Sequence, residues 1–247
     1  IDGGVTKVAM AAAAASVEWI MEDPAVDNSV FLLAGANMYH ATDPTIGYAL
    51  LYEGPVASTA RQFVRSRDGQ VTWICYTGAP SGEALQRVEN GAAADHAATD
   101  MQTLALNRDA SSLNATLYAV TLDDPAEIWS FDGLTGLSAA ASSQTFPAGA
   151  TVQHMLTSRE FDVIYCADFD SVAASQGALR KYFPAPDLLL LWKELAAGQQ
   201  GHMLGLGARA SAPAEVLYGR QVSDPPGVWH YRDGVWTFRP LPVAGTV

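Results

Sequence analysis

Two similar segments, about 100 residues apart, decide the fold. Residues 117–133 read LYAVTLDDPAEIWSFDG, and residues 217–234 read LYGRQVSDPPGVWHYRDG. In both segments an apolar pair leads through Asp-Pro into alternating aromatic and polar residues and then into Asp-Gly. Alternation with a period of two predicts a half-buried strand. Asp-Gly, which also occurs at Asp68-Gly69, favours a tight reversal because glycine adopts positive φ at little cost. The two segments therefore predict the same strand-and-turn unit twice.

Related units occur along the rest of the chain. In each unit a polar residue is followed by two mostly apolar residues, and a second apolar strand comes after them. The polar residues lie at positions 18, 62, 102, 154 and 202, with spacings of 44, 40, 52 and 48 residues. Short runs rich in Val, Leu, Tyr, Trp and Phe, broken by Gly, Pro, Asp and Ser, indicate many short strands. Periods of 40 to 50 residues with about four strands each are typical of a β-propeller.

The repeats thus resemble the β-propeller class, although no signature of WD40, kelch or sialidase repeats identifies a family. The resemblance implies an all-β, five-bladed β-propeller-like domain over 17–247, with units of about 17–60, 61–100, 101–150, 151–200 and 201–240. Residues 1–16 are expected to form an N-terminal arm or a closing strand. We expect 5–15 to pair beside 235–241 and close the ring, the alternative being an exposed arm or helix. An irregular β-sandwich or barrel also fits the period.

Composition excludes two classes of partner. The 247 residues include 14 basic and 26 acidic side chains, for a formal net charge of −12, which argues against nucleic-acid binding. The densest basic cluster, Arg61, Arg65 and Arg67, is expected to be a solvated strand edge. The longest apolar run, 8–15, is far shorter than the roughly 20 residues needed to cross a bilayer, so we predict no membrane insertion.

Five polar residues are the candidate ligand-binding site, because they occupy the same place in each repeat. The first strand of every propeller blade lines the central channel, and these residues would form a ring at one end of it: Glu18, Gln62, Gln102, His154 and His202. Carboxamides and neutral imidazoles both donate and accept hydrogen bonds, which suits sugar hydroxyls. The alternative is a polar channel satisfied by water.

Catalysis has less support from the same residues. His154, His202 and Glu18 are the ligand types of a 2-His-1-carboxylate centre, but no His-x-x-x-His or Cys-x-x-Cys spacing is present, so no metal and no cofactor are predicted. A glycoside hydrolase needs two carboxylates about 5 to 10 Å apart. Glu18 with Asp168 is the candidate pair, yet Glu18 is the one acidic member of the five.

Three further expectations concern packing. Cys75 and Cys166 lie in apolar strands and are predicted to be buried thiols. Trp129 and Trp229 are expected to pack between repeats. The run Leu188-Leu189-Leu190-Leu191-Trp192 is expected to be a strand buried on both faces, the alternative being a patch covered by another subunit.

These observations favour a non-catalytic recognition or scaffold protein. Its partners would be other protein subunits or a glycan, and a structural component of a larger assembly such as a virion or tail fits the composition. The expected location is extracellular or at a virion surface. The alternative function is a glycoside hydrolase or another carbohydrate-active enzyme with its active site at the channel mouth.

Overall fold

The computed structural model describes most of the chain outside its termini. The described ranges are 17–23, 25–44, 47–80, 82–89, 92–97, 99–107, 116–132, 138–157, 163–170, 176–195, 201–208, 215–221, 227–232 and 235–240. The predicted closing strand, 5–15, lies outside them, and so does 241. Ring closure therefore stays a prediction. No helix in these ranges is long and apolar enough to span a bilayer.

Every regular element in the described residues is a β-strand, and the strands form five four-stranded sheets in which consecutive strands are neighbours. Sheet 1 contains β1 (Val17–Glu22), β2 (Val30–Ala34), β3 (Asn37–Ala41) and β4 (Ala49–Tyr52). Sheet 2 contains β5 (Thr59–Arg65), β6 (Val71–Thr77), β7 (Leu85–Glu89) and β8 (Ala92–Ala97). Sheet 3 contains β9 (Met101–Leu106), β10 (Thr116–Thr121), β11 (Glu127–Asp132) and β12 (Ser138–Thr145). Sheet 4 contains β13 (Ala150–Thr157), β14 (Ile164–Asp170), β15 (Gln176–Phe183) and β16 (Leu188–Glu194), and sheet 5 contains β17 (Gly201–Ala208), β18 (Glu215–Gln221), β19 (Gly227–Arg232) and β20 (Val235–Pro240).

The turn between β5 and β6 shows how the sequence forms these hairpins. Asp68-Gly69 reverses the chain with Gly69 at φ 71°, a conformation that glycine adopts without a Cβ clash. The Ser66 hydroxyl donates to Asp68 Oδ1 at 2.7 Å, and the Gly69 N–H donates to the Ser66 carbonyl at 2.9 Å. The reversal predicted from this Asp-Gly pair is confirmed.

The chain divides into two compact units. The first comprises Ile1–Met101, Asp109–Ala115 and Asp132–Leu137, and its described strands are those of sheets 1 and 2. Its core lies between these two sheets, where Phe31 packs near Phe63 with ring centroids 6.1 Å apart. The apolar side chains of both sheets thus bury against each other within this unit.

The second unit comprises Gln102–Arg108, Thr116–Phe131 and Ser138–Val247, and its described strands are those of sheets 3, 4 and 5. Sheet 4 packs on both sides because successive residues of a strand point to opposite faces. Ile164 and Cys166 of β14 join the core shared with sheet 3, whereas Tyr165 packs with the aromatic side chains of sheet 5. This alternation accounts for the mostly apolar sequence of β14.

The two cysteines are buried free thiols, as predicted. Burial raises the pKa of Cys75 to about 12 and also raises the pKa of Cys166. Because the thiolate is the reactive form, both groups are chemically inert near neutral pH.

The expectation for the leucine run is wrong. β16 is the last strand of sheet 4, and Leu188, Leu190 and Leu191 are 38%, 44% and 53% exposed. Among the described strands β16 has a neighbour on one side only, and its leucines alternate between the two faces of the sheet: Leu188 and Leu190 pair with Phe183 and Lys181, whereas Leu191 pairs with Arg180. Leucine content alone does not distinguish such an edge strand from a central one.

Candidate functional site

The five polar candidate residues lie on the first strands of the five sheets. Glu18 is in β1, Gln62 in β5, Gln102 in β9, His154 in β13 and His202 in β17. The side chains of Glu18 and His202 lie outside the described part of the structure, so a ligand role for the set stays a prediction. What the structure defines is the register of four of the strands and the contacts of Gln102.

Strand pairing places the candidates at different registers. Four of the first strands contain a β-bulge, a position with one extra residue, and the extra residues are Glu18, Arg61, Gln153 and Leu204. Gln62 and His154 directly follow a bulge, Glu18 is itself the bulged residue, and His202 precedes its bulge by two positions. The repeat spacing in the sequence cannot reveal such single-residue offsets.

The Gln102 carboxamide links two sheets. Its Nε2 donates to the Thr121 carbonyl of its own sheet at 2.8 Å, and its Oε1 accepts from the Val152 N–H of β13 at 2.7 Å. The neighbouring Thr103 hydroxyl accepts from the Met155 N–H, also on β13, at 3.1 Å. Because β13 pairs on only one side within its sheet, these side chains satisfy backbone donors on its other side. Gln102 therefore has a structural role that uses both its donor and its acceptor.

The other candidates whose side chains the structure describes are also buried. Gln62 and His154 are buried, and Asp168 forms a two-point ion pair with Arg180, with Oδ1 2.9 Å from Nε and Oδ2 3.1 Å from Nη2. Such a geometry engages both carboxylate oxygens. Among the described residues, no group of three His, Cys, Asp or Glu side chains could hold a metal ion.

A polar cluster that the sequence analysis missed connects sheets 1 and 2. The Ser29 hydroxyl lies 2.6 Å from His40 Nε2, and Asp23 lies 3.9 Å from the same nitrogen. Arg65 Nε lies 3.7 Å from Asp23, and the guanidinium covers the Phe31 ring at 4.7 Å. Arg65 is largely buried, so the expectation of a solvated basic edge is wrong for this residue. In the sequence Asp23 is only an acidic residue before a turn, a pattern too common to identify Arg65 of another repeat as its partner.

This Asp-His-Ser group lacks the arrangement of a catalytic triad. In a triad the serine and the aspartate bind opposite nitrogens of the imidazole, whereas here both approach Nε2. Ser29 is also fully buried, so a substrate could not reach its hydroxyl in this structure. Burial lowers the pKa of His40, the Asp23 carboxylate opposes that shift, and the Arg65 charge adds to it. The cluster therefore joins two sheets.

A second carboxylate, Asp187, connects sheets 3 and 4. It lies in the turn between β15 and β16 at φ 63°, and its oxygens accept hydrogen bonds from the Ser142 hydroxyl, the Ser143 hydroxyl and N–H, and the Tyr182 hydroxyl at 2.5 to 2.9 Å. The bonds from Ser142 and Ser143 hold the pKa of Asp187 well below its usual range. Burial raises the pKa of Tyr182 to about 12.

Sheets 4 and 5 meet through an aromatic cluster. The ring of Trp192 lies 4.6 Å from that of Tyr231 and 4.9 Å from that of Trp236. Lys181 Nζ lies 4.0 Å from the Trp192 ring centroid, and Lys193 Nζ lies 4.6 Å from that of Trp229. Trp229 thus contacts the neighbouring repeat through Lys193, while its ring partners Trp236 and Phe238 belong to its own sheet. Trp129 stacks on Phe131 of its own strand.

The outer strand of sheet 4 and its neighbours present the exposed surface that we call the β16 rim: Leu188, Leu190, Leu191, Lys181 and Lys193. Leu191 pairs with Arg180 and lies on the opposite face of the sheet from the other four. The three leucines are exposed, and both lysines are half-buried beside aromatic rings. In the described residues, the edge of β16 opposite β15 has no paired strand. The rim thus combines apolar side chains, two cations and an unpaired strand edge.

Comparison with known proteins identifies a fold. No protein-family model matches the sequence, and a search of curated proteins finds no match. A solved structure described as "Crystal Structure of Mitotic Checkpoint Complex" contains a similar chain, with a TM-score of 0.52 and 10% identity over 95% of this chain and 87% of that chain. The four-stranded antiparallel sheets and this likeness fit the β-propeller class, without indicating a specific family.

Proposed function

We propose that the protein is a non-catalytic scaffold of the β-propeller class, with its five sheets as five blades of a ring and another protein as its partner. The observation that carries the proposal is the exposed apolar edge of β16, with three leucines open to solvent. Exposed apolar side chains grouped along one strand are typical of an interaction surface.

The polar groups support the same conclusion. Gln102, Asp168 and Ser29 are three candidates for chemistry, and each is buried in a contact that stabilises the sheets. A catalytic acid or nucleophile has to reach its substrate, so these contacts argue against hydrolysis by these three groups. The similar solved chain belongs to a protein complex, which is consistent with protein partners. A virion or tail role stays a prediction from composition.

Native mass spectrometry of the protein isolated from its source tests the scaffold function. We expect it to travel with other protein chains in a fixed stoichiometry. A bare monomer that hydrolyses a glycoside in a substrate panel, and loses that activity in Glu18→Gln, would contradict the proposal.

The glycan alternative has its own test. A glycan array probed with the wild type, Gln62→Ala and His154→Ala should show no specific binding. A sugar bound by the wild type and released by both variants would instead assign the predicted polar ring to ligand recognition. The urea midpoint of each variant serves as the folding control, because both side chains are buried.

A further inference from the structure

We infer that the β16 rim binds an extended, acidic and aliphatic segment of the partner protein, which adds as a strand beside β16. This inference rests on the proposed scaffold function and specifies the chemistry of its partner. Three features of the rim point to this partner: the strand edge, the leucines and the local charge.

The strand edge provides main-chain recognition. β16 ends its sheet, so the backbone groups on its outer side can pair with an added strand. Exposed edges are usually protected by lysine, proline or inward charges along their length. Here four consecutive leucines, Leu188 to Leu191, form the first half of the strand and the first charge is Lys193. An unprotected apolar edge of this kind needs a cover.

Local charge selects the partner. The chain carries a formal net charge of −12 and has 14 basic residues in all. Lys181 and Lys193 nevertheless lie on the same side of sheet 4 as Leu190, since Lys181 pairs with Leu190 and Leu179 pairs with Lys193. Exposed Glu194, the acidic residue at the end of β16, pairs with Ala178 and therefore lies on the opposite face of the sheet. The rim is thus cationic on an acidic protein, which is complementary to carboxylates.

The aromatic rings hold these cations in place. Lys181 Nζ lies 4.0 Å from the Trp192 ring centroid and 5.7 Å from that of Tyr165, and Lys193 Nζ lies 4.6 Å from that of Trp229. A cation over a ring keeps its charge and loses rotamer freedom before a ligand arrives. A carboxylate that binds there therefore pays less ordering entropy than at a free lysine.

Fluorescence anisotropy with two labelled peptides tests the inference. One peptide alternates valine with glutamate over seven residues, and the other alternates valine with lysine. We expect the glutamate peptide to bind, more weakly as salt rises, and to slow amide hydrogen exchange in 188–194. The protein's net charge alone would repel this peptide, so binding requires a local cationic surface. Absence of binding by the glutamate peptide would overturn the inference.

Matched variants locate the binding. Leu188→Ser/Leu190→Ser should weaken binding of the glutamate peptide at least tenfold. The control is Leu50→Ser/Leu51→Ser on edge strand β4, because Leu50 and Leu51 are 45% and 44% exposed. It should bind like the wild type. Equal affinities for the rim variant and the control would contradict the inference.

The charge requirement has its own pair of variants. Lys181→Glu/Lys193→Glu should weaken binding at least tenfold, whereas Arg61→Glu/Arg67→Glu changes the net charge equally at exposed sites in the other unit and should have little effect.

If sedimentation shows a dimer that Leu188→Ser/Leu190→Ser dissociates, a second copy covers the rim and the inference is wrong. A native complex of fixed stoichiometry that forms without any binding of the glutamate peptide would leave the scaffold function standing and exclude this partner chemistry.

Discussion

Asp23 and Asp187 each connect one sheet to the next, but their partners differ in charge. Asp23 in the first unit lies 3.7 Å from Arg65 and 3.9 Å from His40, both of which are cationic or can become so. Asp187 in the second unit accepts hydrogen bonds from the neutral donors Ser142, Ser143 and Tyr182. The contact between sheets is therefore an ion pair in the first unit and a set of hydrogen bonds from neutral groups in the second. Similar contacts between sheets can therefore make stability depend on pH over different ranges.

The largest loss of stability is expected at the aromatic contact between sheets 4 and 5, which contains no carboxylate. Trp192→Ala removes the ring that touches Tyr231, Trp236 and Lys181. Because Trp192 is partly exposed, we expect a loss of about 2–3 kcal/mol in the free energy of unfolding, below the full cost of a buried aromatic truncation. Urea denaturation measures it. The control Trp129→Ala, which loses a stack within one strand, should cost less, and equal costs would contradict the importance of the sheet 4–sheet 5 cluster.

Asp187 should control how the free energy of unfolding falls at low pH, which is the acid limb of the stability curve. Its pKa is held below the ordinary value of 3.8, so as the pH falls below about 4 the unfolded chain takes up the proton first. Stability is full above that range and is lost as the pH falls toward the folded pKa. Asp187→Asn keeps a residue that tolerates positive φ and should flatten this limb. Urea titrations between pH 5 and 2 test the prediction, and an unchanged limb would contradict it.

Asp23→Asn should have a smaller effect at neutral pH. It preserves an acceptor for the Ala25 N–H, which donates to Asp23 Oδ1 at 2.9 Å, and removes the charge opposite Arg65. We expect a loss of about 1 kcal/mol, because a largely buried guanidinium loses its anion. Arg65→Met in the Asp23→Asn background should cost less than in the wild type. Additive losses in this double-mutant cycle would show that the two groups do not interact.

His40 should contribute a slope nearer to neutrality. Burial lowers its pKa from the ordinary value of 6.5, so the unfolded chain binds the proton first as the pH falls below about 6.5. This contribution is present in full above pH 6.5 and is lost as the pH falls toward the folded pKa. His40→Gln should reduce the slope between pH 7 and 5 and leave the Asp187 limb intact. If His40→Gln instead changed the Asp187 limb and left the slope between pH 7 and 5 unchanged, this assignment of the neutral range to His40 would be wrong.

The smallest change is expected at Tyr76. Its hydroxyl is buried and has no hydrogen-bond partner among the described residues, whereas the Tyr52 hydroxyl donates to Gln86 Oε1 at 2.6 Å. Tyr76→Phe should leave stability unchanged or raise it slightly, because it removes an unsatisfied polar atom. Tyr52→Phe should cost about 1 kcal/mol. A larger loss for Tyr76→Phe in urea denaturation would reveal a partner for its hydroxyl.

The sequence was most informative about local structure. Period-two alternation at Trp129 and Trp229 correctly predicted strands, and Asp68-Gly69 correctly predicted a turn, since these features depend on neighbouring residues. The all-β class with four-stranded sheets is likewise confirmed. The partnership of Asp23 with Arg65 could not be predicted, because it depends on how two sheets meet.

The limits at the candidate site have a physical cause as well. A continuous apolar run such as Leu188 to Leu191 indicates a strand, but whether another strand covers it depends on its place in the sheet. The role of Gln102 was predicted as ligand binding from its repeat position. Its hydrogen bond to Val152 arises from the separation between two sheets, which the spacing of repeats does not encode.

The bulges in the first strands have a consequence for how the sequence can change over evolution. An extra residue at Gln153 sets which face His154, Met155 and Leu156 occupy, because side chains alternate with a period of two. A substitution at Gln153 preserves that phase, whereas deletion of the residue inverts it for the rest of the strand. A first strand should therefore tolerate a substitution at its bulge far better than the loss or gain of one residue, because only a change in length exchanges its buried and exposed faces.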